Sequence, residues 1–372
     1  MNDSEYESYS NYGNEYDASP LLWQVCINVM ELIFLTIGIF GNTLLIIIIS
    51  ANKTMRSAPN YLLVCLAVGD MLLLTLGVPV FVLMRHAKYV EFIHNSTFGC
   101  KFIHGCLVVA ESVSIGTFTA LSVDRYMVIR YRISSSSNTQ SYRKYICICI
   151  FIWIVALLIG TPIFHQAYVE SWAFYNMTTC YPYEMYSTFA KAYQVMLAIF
   201  LYIIPLMLIL ICYSKMAFIL MTSIRTNNVI SQGSAPDAMM RRRYLARSVL
   251  VMILVFAVCW LPWHAAEIVR QFFAYNSFEV QSHIWVIIKD IKYLLIIFSA
   301  SANPLVLFTV SKQFQKYLRR YFCCKKSLTF HSKRSKYTSG KSSDNNYTLV
   351  PANRKIHEKE PIRSSTTSTT VL

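Results

Sequence analysis

A chain of 372 residues with 55% hydrophobic and only 14% charged residues does not read as a string of soluble domains. Its formal net charge of +15 would suggest nucleic acid in a soluble protein, but residues 1–20 hold Asp3, Glu5, Glu7, Glu15 and Asp17 without a Lys or Arg. The bases instead fall in alternate connections and in the C-terminal tail, a positive-inside distribution that leaves nucleic-acid binding the weaker explanation of the charge.

Residues 1–23 are polar and tyrosine-rich, with too few aliphatic side chains to bury a core, and are expected to be extracellular and disordered. Acids follow Met1 where a signal peptide would have a basic flank and a short apolar core, so the first span is expected to act as the targeting signal. Tyr6, Tyr9, Tyr12 and Tyr16 are open to sulfation or are simply solvated. Apolar blocks near 24–51, 60–84, 101–131, 143–164, 188–222, 244–270 and 283–310 each approach or exceed the roughly 20 residues of a spanning helix. Seven spans place the N-terminus outside and leave Lys53, Arg56, Arg130, Arg143, Arg225 and Arg241 to Arg243 on the cytosolic side. The expected fold is an all-α membrane protein, a seven-transmembrane helix bundle over 24–310. A short amphipathic eighth helix over 311–324 and a disordered cytosolic tail over 325–372 follow it.

Span one contains Gly41-Asn42. Span two contains Asp70, and an ionisable residue near mid-span marks a functional site by default. Its plain structural alternative is a partnership with Asn42. Pro79 is expected to bend span two. Span three runs from Cys100 to Asp124-Arg125-Tyr126 at its inner mouth. Trp153 and Pro162 lie in span four, Pro205 and Tyr213 in span five, Cys259-Trp260-Leu261-Pro262 in span six and Asn303-Pro304 in span seven. Membrane helices tolerate such prolines where neighbours and waters satisfy the freed carbonyls. Cys65, Cys106, Cys147, Cys149, Cys212 and Cys259 lie within spans and pack as small hydrophobes, whereas Cys100 and Cys180 lie outside, where oxidising conditions allow a bridge. Glycosylation sequons begin at Asn2, Asn95 and Asn176 on the outer side. No catalytic nucleophile, metal-ligand cluster or phosphate loop is evident outside the spans, so an enzyme is not expected.

One marker per span, in order, resembles the rhodopsin-like (class A) G-protein-coupled receptors over about residues 24–324. Met55-Arg56-Ser57-Ala58-Pro59-Asn60 and Leu66-Ala67-Val68-Gly69-Asp70 are similar to the bombesin and endothelin receptor branch and to CCHamide-like neuropeptide receptors. The resemblance implies a plasma-membrane receptor activated by an extracellular neuropeptide, which opens its cytosolic face to a heterotrimeric G protein. Leu107 stands where aminergic relatives carry an aspartate and Ile297 where opsins carry the retinal lysine, which disfavours both subclasses. Pro205, Ile115 and Phe256 match the family's packing switch, with a hinge at Pro262 beneath Trp260. Asp70, Ser114, Ser299 and Asn303 match its allosteric sodium site, whose oxygen donors suit a hard cation. Arg125 matches the arginine that pairs with Asp124 at rest, and Arg242 disfavours a second ionic latch. Two departures stand out. Leu307 occupies the family's tyrosine position and has no hydroxyl to reach Tyr213, and Glu111 places an acid one turn below Leu107, with His104 and Lys292 as candidate partners.

On this resemblance, peptide contacts are expected from His104, Leu107, Val108, Glu111, Gln166, His264, Glu267, Arg270, Lys289 and Tyr293; Glu267, Arg270 and Lys289 could equally be solvated interfacial charges. Cys323 and Cys324 are juxtamembrane palmitoylation candidates. The Ser/Thr run 364–370 implies kinases and arrestin, and Thr370-Val371-Leu372 fits a PDZ ligand. A seven-span transporter and a non-signalling scavenger receptor are the alternatives; the absence of an internal repeat weighs against the first.

Overall fold

The computed structural model describes residues 21–57, 59–77, 96–132, 142–172, 177–184, 186–226, 236–273 and 283–322. Span one is the helix Leu21–Ala51, and span two is Asn60–Leu72 continued by a π-helical turn at Leu73–Gly77. Pro79 lies outside the described residues. Span three is Thr97–Arg132 and span four Tyr142–Gln166. Span five starts as Thr188–Leu197, passes through π-helical Ala198–Ile203 and continues as Ile204–Thr226. The wide turn comes directly before Pro205, which has no N–H to close a regular turn, and such local rewinding is how membrane helices absorb a proline. Spans six and seven are Pro236–Phe272 and His283–Val310, with Pro262 and Pro304 inside them.

Six of these helices are long and apolar enough to cross a membrane, and the shorter Asn60–Leu76 helix joins them to make a seven-helix bundle. Span three is more buried than any of the other five long spans and packs against spans two, four, five and six. Phe40, Phe151, Leu158, Phe200, Leu210 and Val258 point out of the bundle, as expected where lipid and not water is the solvent. Close approach of the helices depends on two glycines in particular. A Cβ on Gly105 would lie 2.4 Å from the Phe164 ring, and one on Gly41 would lie 2.7 Å from the Pro304 ring. After span seven, the helix Lys312–Phe322 buries Phe314 against Phe308, with ring centroids 6.3 Å apart, and exposes Lys316, Arg319 and Arg320. The Tyr317 phenol meets the Thr54 hydroxyl, and Asn52 donates to the Tyr321 phenol at 3.4 Å, so this helix is fastened to the first connection.

One element was not anticipated. Between spans four and five, β1 (Tyr168–Trp172) and β2 (Met177–Tyr181) form an antiparallel hairpin in which Val169 faces Cys180. Both strands are rich in β-branched and aromatic residues, and Tyr168 stacks on Tyr181 across the pair. The Cys100–Cys180 bridge, with Cα atoms 5.6 Å apart, ties β2 to the first turn of span three. This bridge is the one the sequence allowed.

Candidate functional site

Three connected layers of polar and aromatic residues run through the bundle, beginning at the disulfide end. There, Leu107 and Glu111 of span three are buried and His104 and Val108 half-buried. His264 Nε2 stands 2.8 Å from Glu111 Oε1, with both side chains buried. The expected partners of Glu111, His104 and Lys292, are replaced by a residue of span six. Lys292 is held elsewhere: its ammonium donates to Glu267 Oε1 and lies 4.5 Å from the centroid of Trp263. Glu267 Oε2 accepts from Arg270 Nε at 3.1 Å and from its Nη2. Glu267 is 3% exposed, so it is not a solvated interfacial charge. Tyr293 is buried edge-on to Trp263 at 5.6 Å, whereas Lys289 and Gln166 are exposed.

The connection after β2 closes over this ring. Tyr183 is buried and its phenol accepts from Gln194 of span five, while Gln271 of span six accepts from the backbone N–H of Tyr186 at 2.9 Å. Burial, then the nearby Glu267 carboxylate, pushes the Tyr183 phenol up, so it stays neutral and able to hydrogen-bond. Tyr186 adopts a left-handed φ of 62°, a conformation uncommon for an aromatic residue, and the Gln271 bond holds it there.

Below the ring an aromatic column runs down span six. His264 lies 5.1 Å from Tyr202 and 6.4 Å from Trp260, Trp260 stacks on Phe256 at 5.5 Å, and Phe256 meets Phe118 of span three edge-on at 5.6 Å. Ile115 and Pro205 are also buried. The middle layer is polar. Asn303 Nδ2 donates to Asp70 Oδ2 at 2.8 Å and Ser114 donates to Asp70 Oδ1 at 3.4 Å, with Ser299 buried nearby in sequence. Asn42 does not hydrogen-bond to Asp70; its amide donates to the carbonyls of Gly38 and Ala300 at 2.9 and 3.3 Å.

At the opposite end, Arg125 pairs with Asp124 at 3.0 Å and Asp124 accepts from the Tyr145 phenol. Tyr126 is half-buried, its phenol accepting from Arg130 at 2.7 Å. The Tyr213 phenol donates to the Ala246 carbonyl of span six at 3.0 Å, and Leu307 is fully buried. The side chain of Arg242, and Asn2, Asn95, Asn176, Cys323, Cys324 and the tail, lie outside the described residues.

Sequence reasoning missed Glu31, which is 1% exposed and the sole acid in the 31-residue helix of span one. The rule that flagged Asp70 applies equally to it. It also missed the clasp of Tyr183, Gln194 and Gln271, whose side chains give no local signal because they join three distant segments.

Residues 41–307 match the family model for the 7 transmembrane receptor (rhodopsin family), and the chain belongs to that family. It is similar to bombesin receptor subtype-3 of Ovis aries, at 31% identity over 319 residues that cover 83% of this chain and 78% of that receptor. A bombesin receptor of Bombina orientalis is 30% identical over 83% of this chain and 79% of its own. The neuropeptide CCHamide-1 receptor of Drosophila melanogaster is 29% identical over 81% of this chain and 61% of its own.

Proposed function

We propose that the chain is a plasma-membrane receptor, its disulfide end outside, that a neuropeptide activates and that passes the signal to a heterotrimeric G protein. The observation carrying this reading is the buried column from the Glu111–His264 pair through Trp260, Phe256 and Phe118, with the Arg125–Asp124 pair about two turns further along span three. A ligand in the ring acts at a distance only by contacting two states of this path differently. His264, Trp260 and Phe256 share span six, so a shift of its outer part about Pro262 reaches the G-protein end. The peptide names of the similar receptors support the ligand class.

In this reading, Asp70, Ser114, Ser299 and Asn303 supply an all-oxygen donor set for an allosteric sodium ion, which fits the buried carboxylate already held by two side-chain donors. The tail would engage kinases, arrestin and, through Thr370-Val371-Leu372, a PDZ domain; Cys323 and Cys324 would carry palmitate and the sequon asparagines glycans. A neuropeptide panel applied to cells expressing the chain, read out as G-protein nucleotide exchange, tests the proposal. Activation by at least one peptide, lost in Arg125→Ala at equal surface expression, is expected. Silence toward the whole panel at normal surface expression would favour the scavenger alternative, and peptide-independent solute flux the transporter.

A further inference from the structure

Spans two and four meet along a short seam that holds two free cysteines. The seam opens with Tyr61 of span two edge-on to Tyr142 of span four, ring centroids 5.9 Å apart. Further along, the Cys149 thiol points at the Tyr61 carbonyl at 3.8 Å, and the thiols of Cys149 and Cys65 hydrogen-bond to each other. The Cys65 sulfur also accepts from the Thr117 hydroxyl of span three at 3.6 Å and from Trp153, one turn past Cys149. Three side chains from two neighbouring helices thus converge on one sulfur.

A cysteine that only fills space is met by carbon atoms, whereas these two present sulfur to sulfur. They differ in access. Span four is less buried than any of the other five long spans, and Ile150, Phe151 and Ile154 around Cys149 face out of the bundle. Cys149 is half-buried, while Cys65 is 5% exposed and packs among Val109, Val113, Ile152 and Ala156. An oxidant arriving from the lipid therefore reaches Cys149 first and finds Cys65 directly behind it. Reversible thiol oxidation uses this layout, an accessible cysteine with a resolving cysteine beside it. Since water is excluded from a lipid-facing surface, a peroxide dissolved in the hydrocarbon is the class of oxidant that suits the approach.

We propose that Cys65 and Cys149 are an intramembrane thiol pair that an organic hydroperoxide of the lipid phase converts to a disulfide joining spans two and four. In the first step the Cys149 sulfur attacks the outer peroxide oxygen, the O–O bond breaks, and the departing alkoxide takes the thiol proton and leaves as an alcohol. Cys149 is then a sulfenic acid. In the second step the Cys65 sulfur attacks the Cys149 sulfur, the S–S bond forms, and the displaced hydroxide leaves as water with the Cys65 proton. Two thiols lose two electrons and one hydroperoxide gains them. Thr117 and Trp153 donate to the sulfur on which negative charge develops as it attacks. The product pins span two, the helix that carries Asp70, to its neighbour.

The test treats membranes from cells expressing the full chain with cumene hydroperoxide, blocks the remaining thiols with N-ethylmaleimide, and maps every cysteine by mass spectrometry with and without reduction. Cys65 and Cys149 should lose their free thiols together, their peptides should run as one cross-linked species, and a phosphine reductant should restore both. Cys147, exposed two residues before Cys149, serves as the lipid-facing comparison, and Cys147→Ser should leave the cross-link unchanged. In Cys65→Ser the Cys149 sulfenic acid should accumulate and be trapped by dimedone, and in Cys149→Ser the shielded Cys65 should stay a thiol. Hydrogen peroxide at the same concentration should act more slowly than cumene hydroperoxide; a faster reaction overturns the lipid route. Oxidation of Cys149 alone in the parent, with Cys65 still free, overturns the pair, as does survival of both thiols at a dose that oxidises Cys147.

Discussion

At the scale of single residues, the contact with the largest consequence is Glu111 with His264. Both are buried and His264 Nε2 stands 2.8 Å from Glu111 Oε1, a close approach without hydrogen-bond geometry, and His264 Nδ1 also has no hydrogen-bond partner among the described residues. Truncating one member leaves the other buried and unpaired, whereas replacing both by apolar groups removes the desolvation penalty as well. Glu111→Ala should therefore destabilise the receptor by about 1–3 kcal/mol, and Glu111→Leu with His264→Phe should recover most of that loss. Thermal unfolding of the detergent-purified protein checks this; equal midpoints for Glu111→Ala and the parent would show that the pair holds nothing together. The sequence displayed Glu111 as an anomaly but could not name its partner. That partner depends on the depth and rotation of span six relative to span three, which no local pattern records. The Asp124–Arg125 pair and the grouping of Asp70 with Asn303 were expected through the family resemblance alone; Asp70 read by itself pointed to Asn42, whose amide is taken by the Gly38 and Ala300 carbonyls.

At the scale of elements, apolar block length gave the helices and their order, while the irregular parts stayed hidden. The π-helical turns at Leu73–Gly77 and Ala198–Ile203 are responses of a whole helix to its surroundings, and the β1–β2 hairpin lies in a segment dominated by its cysteine and sequon. Helix contacts make sharper predictions than helix positions. A methyl on Gly41 would press against the Pro304 ring, which cannot rotate away, so Gly41→Ala should destabilise by about 1–3 kcal/mol through overpacking of spans one and seven. A lowered thermal midpoint with unchanged helix content is the expected result. Leu307 raises a second question about span seven. It is fully buried, and the Tyr213 phenol that the family's tyrosine would reach is bonded to Ala246 of span six. Leu307→Tyr overfills the closed packing and also supplies a hydroxyl to the open state; Leu307→Phe does only the first. Basal signalling should rise more in Leu307→Tyr than in Leu307→Phe, by the value of one hydrogen bond, about 0.5–1.5 kcal/mol. With Tyr213→Phe the two should become equal, and a difference that survives this change would assign the effect to packing alone.

At the scale of the whole molecule, the layers are joined by shared helices. Span three carries Glu111, Ser114, Phe118 and Arg125, and span seven carries Lys292, Ser299 and Asn303, so a change in one layer is felt in the others. The seven-span plan was legible from composition, but this coupling was not, because it consists of contacts between spans. Asp70 is the place where it can be measured. Its carboxylate links span two to span three through Ser114 and to span seven through Asn303, the two helices that also carry Glu111 and Lys292. A sodium ion held there would favour the closed arrangement, and linkage then requires it to weaken agonist affinity by the same factor by which agonist weakens sodium. Coupling of this kind is typically worth about 1–3 kcal/mol, or roughly 5- to 150-fold in affinity. For an activating peptide, affinity should fall when sodium replaces N-methyl-D-glucamine at constant ionic strength, and Asp70→Asn should remove the difference. The salt comparison must be made at fixed ionic strength because general screening would also weaken the binding of a charged peptide. A sodium effect that persists unchanged in Asp70→Asn would move the ion to another site, and equal affinities in the two salts for the parent would remove it altogether.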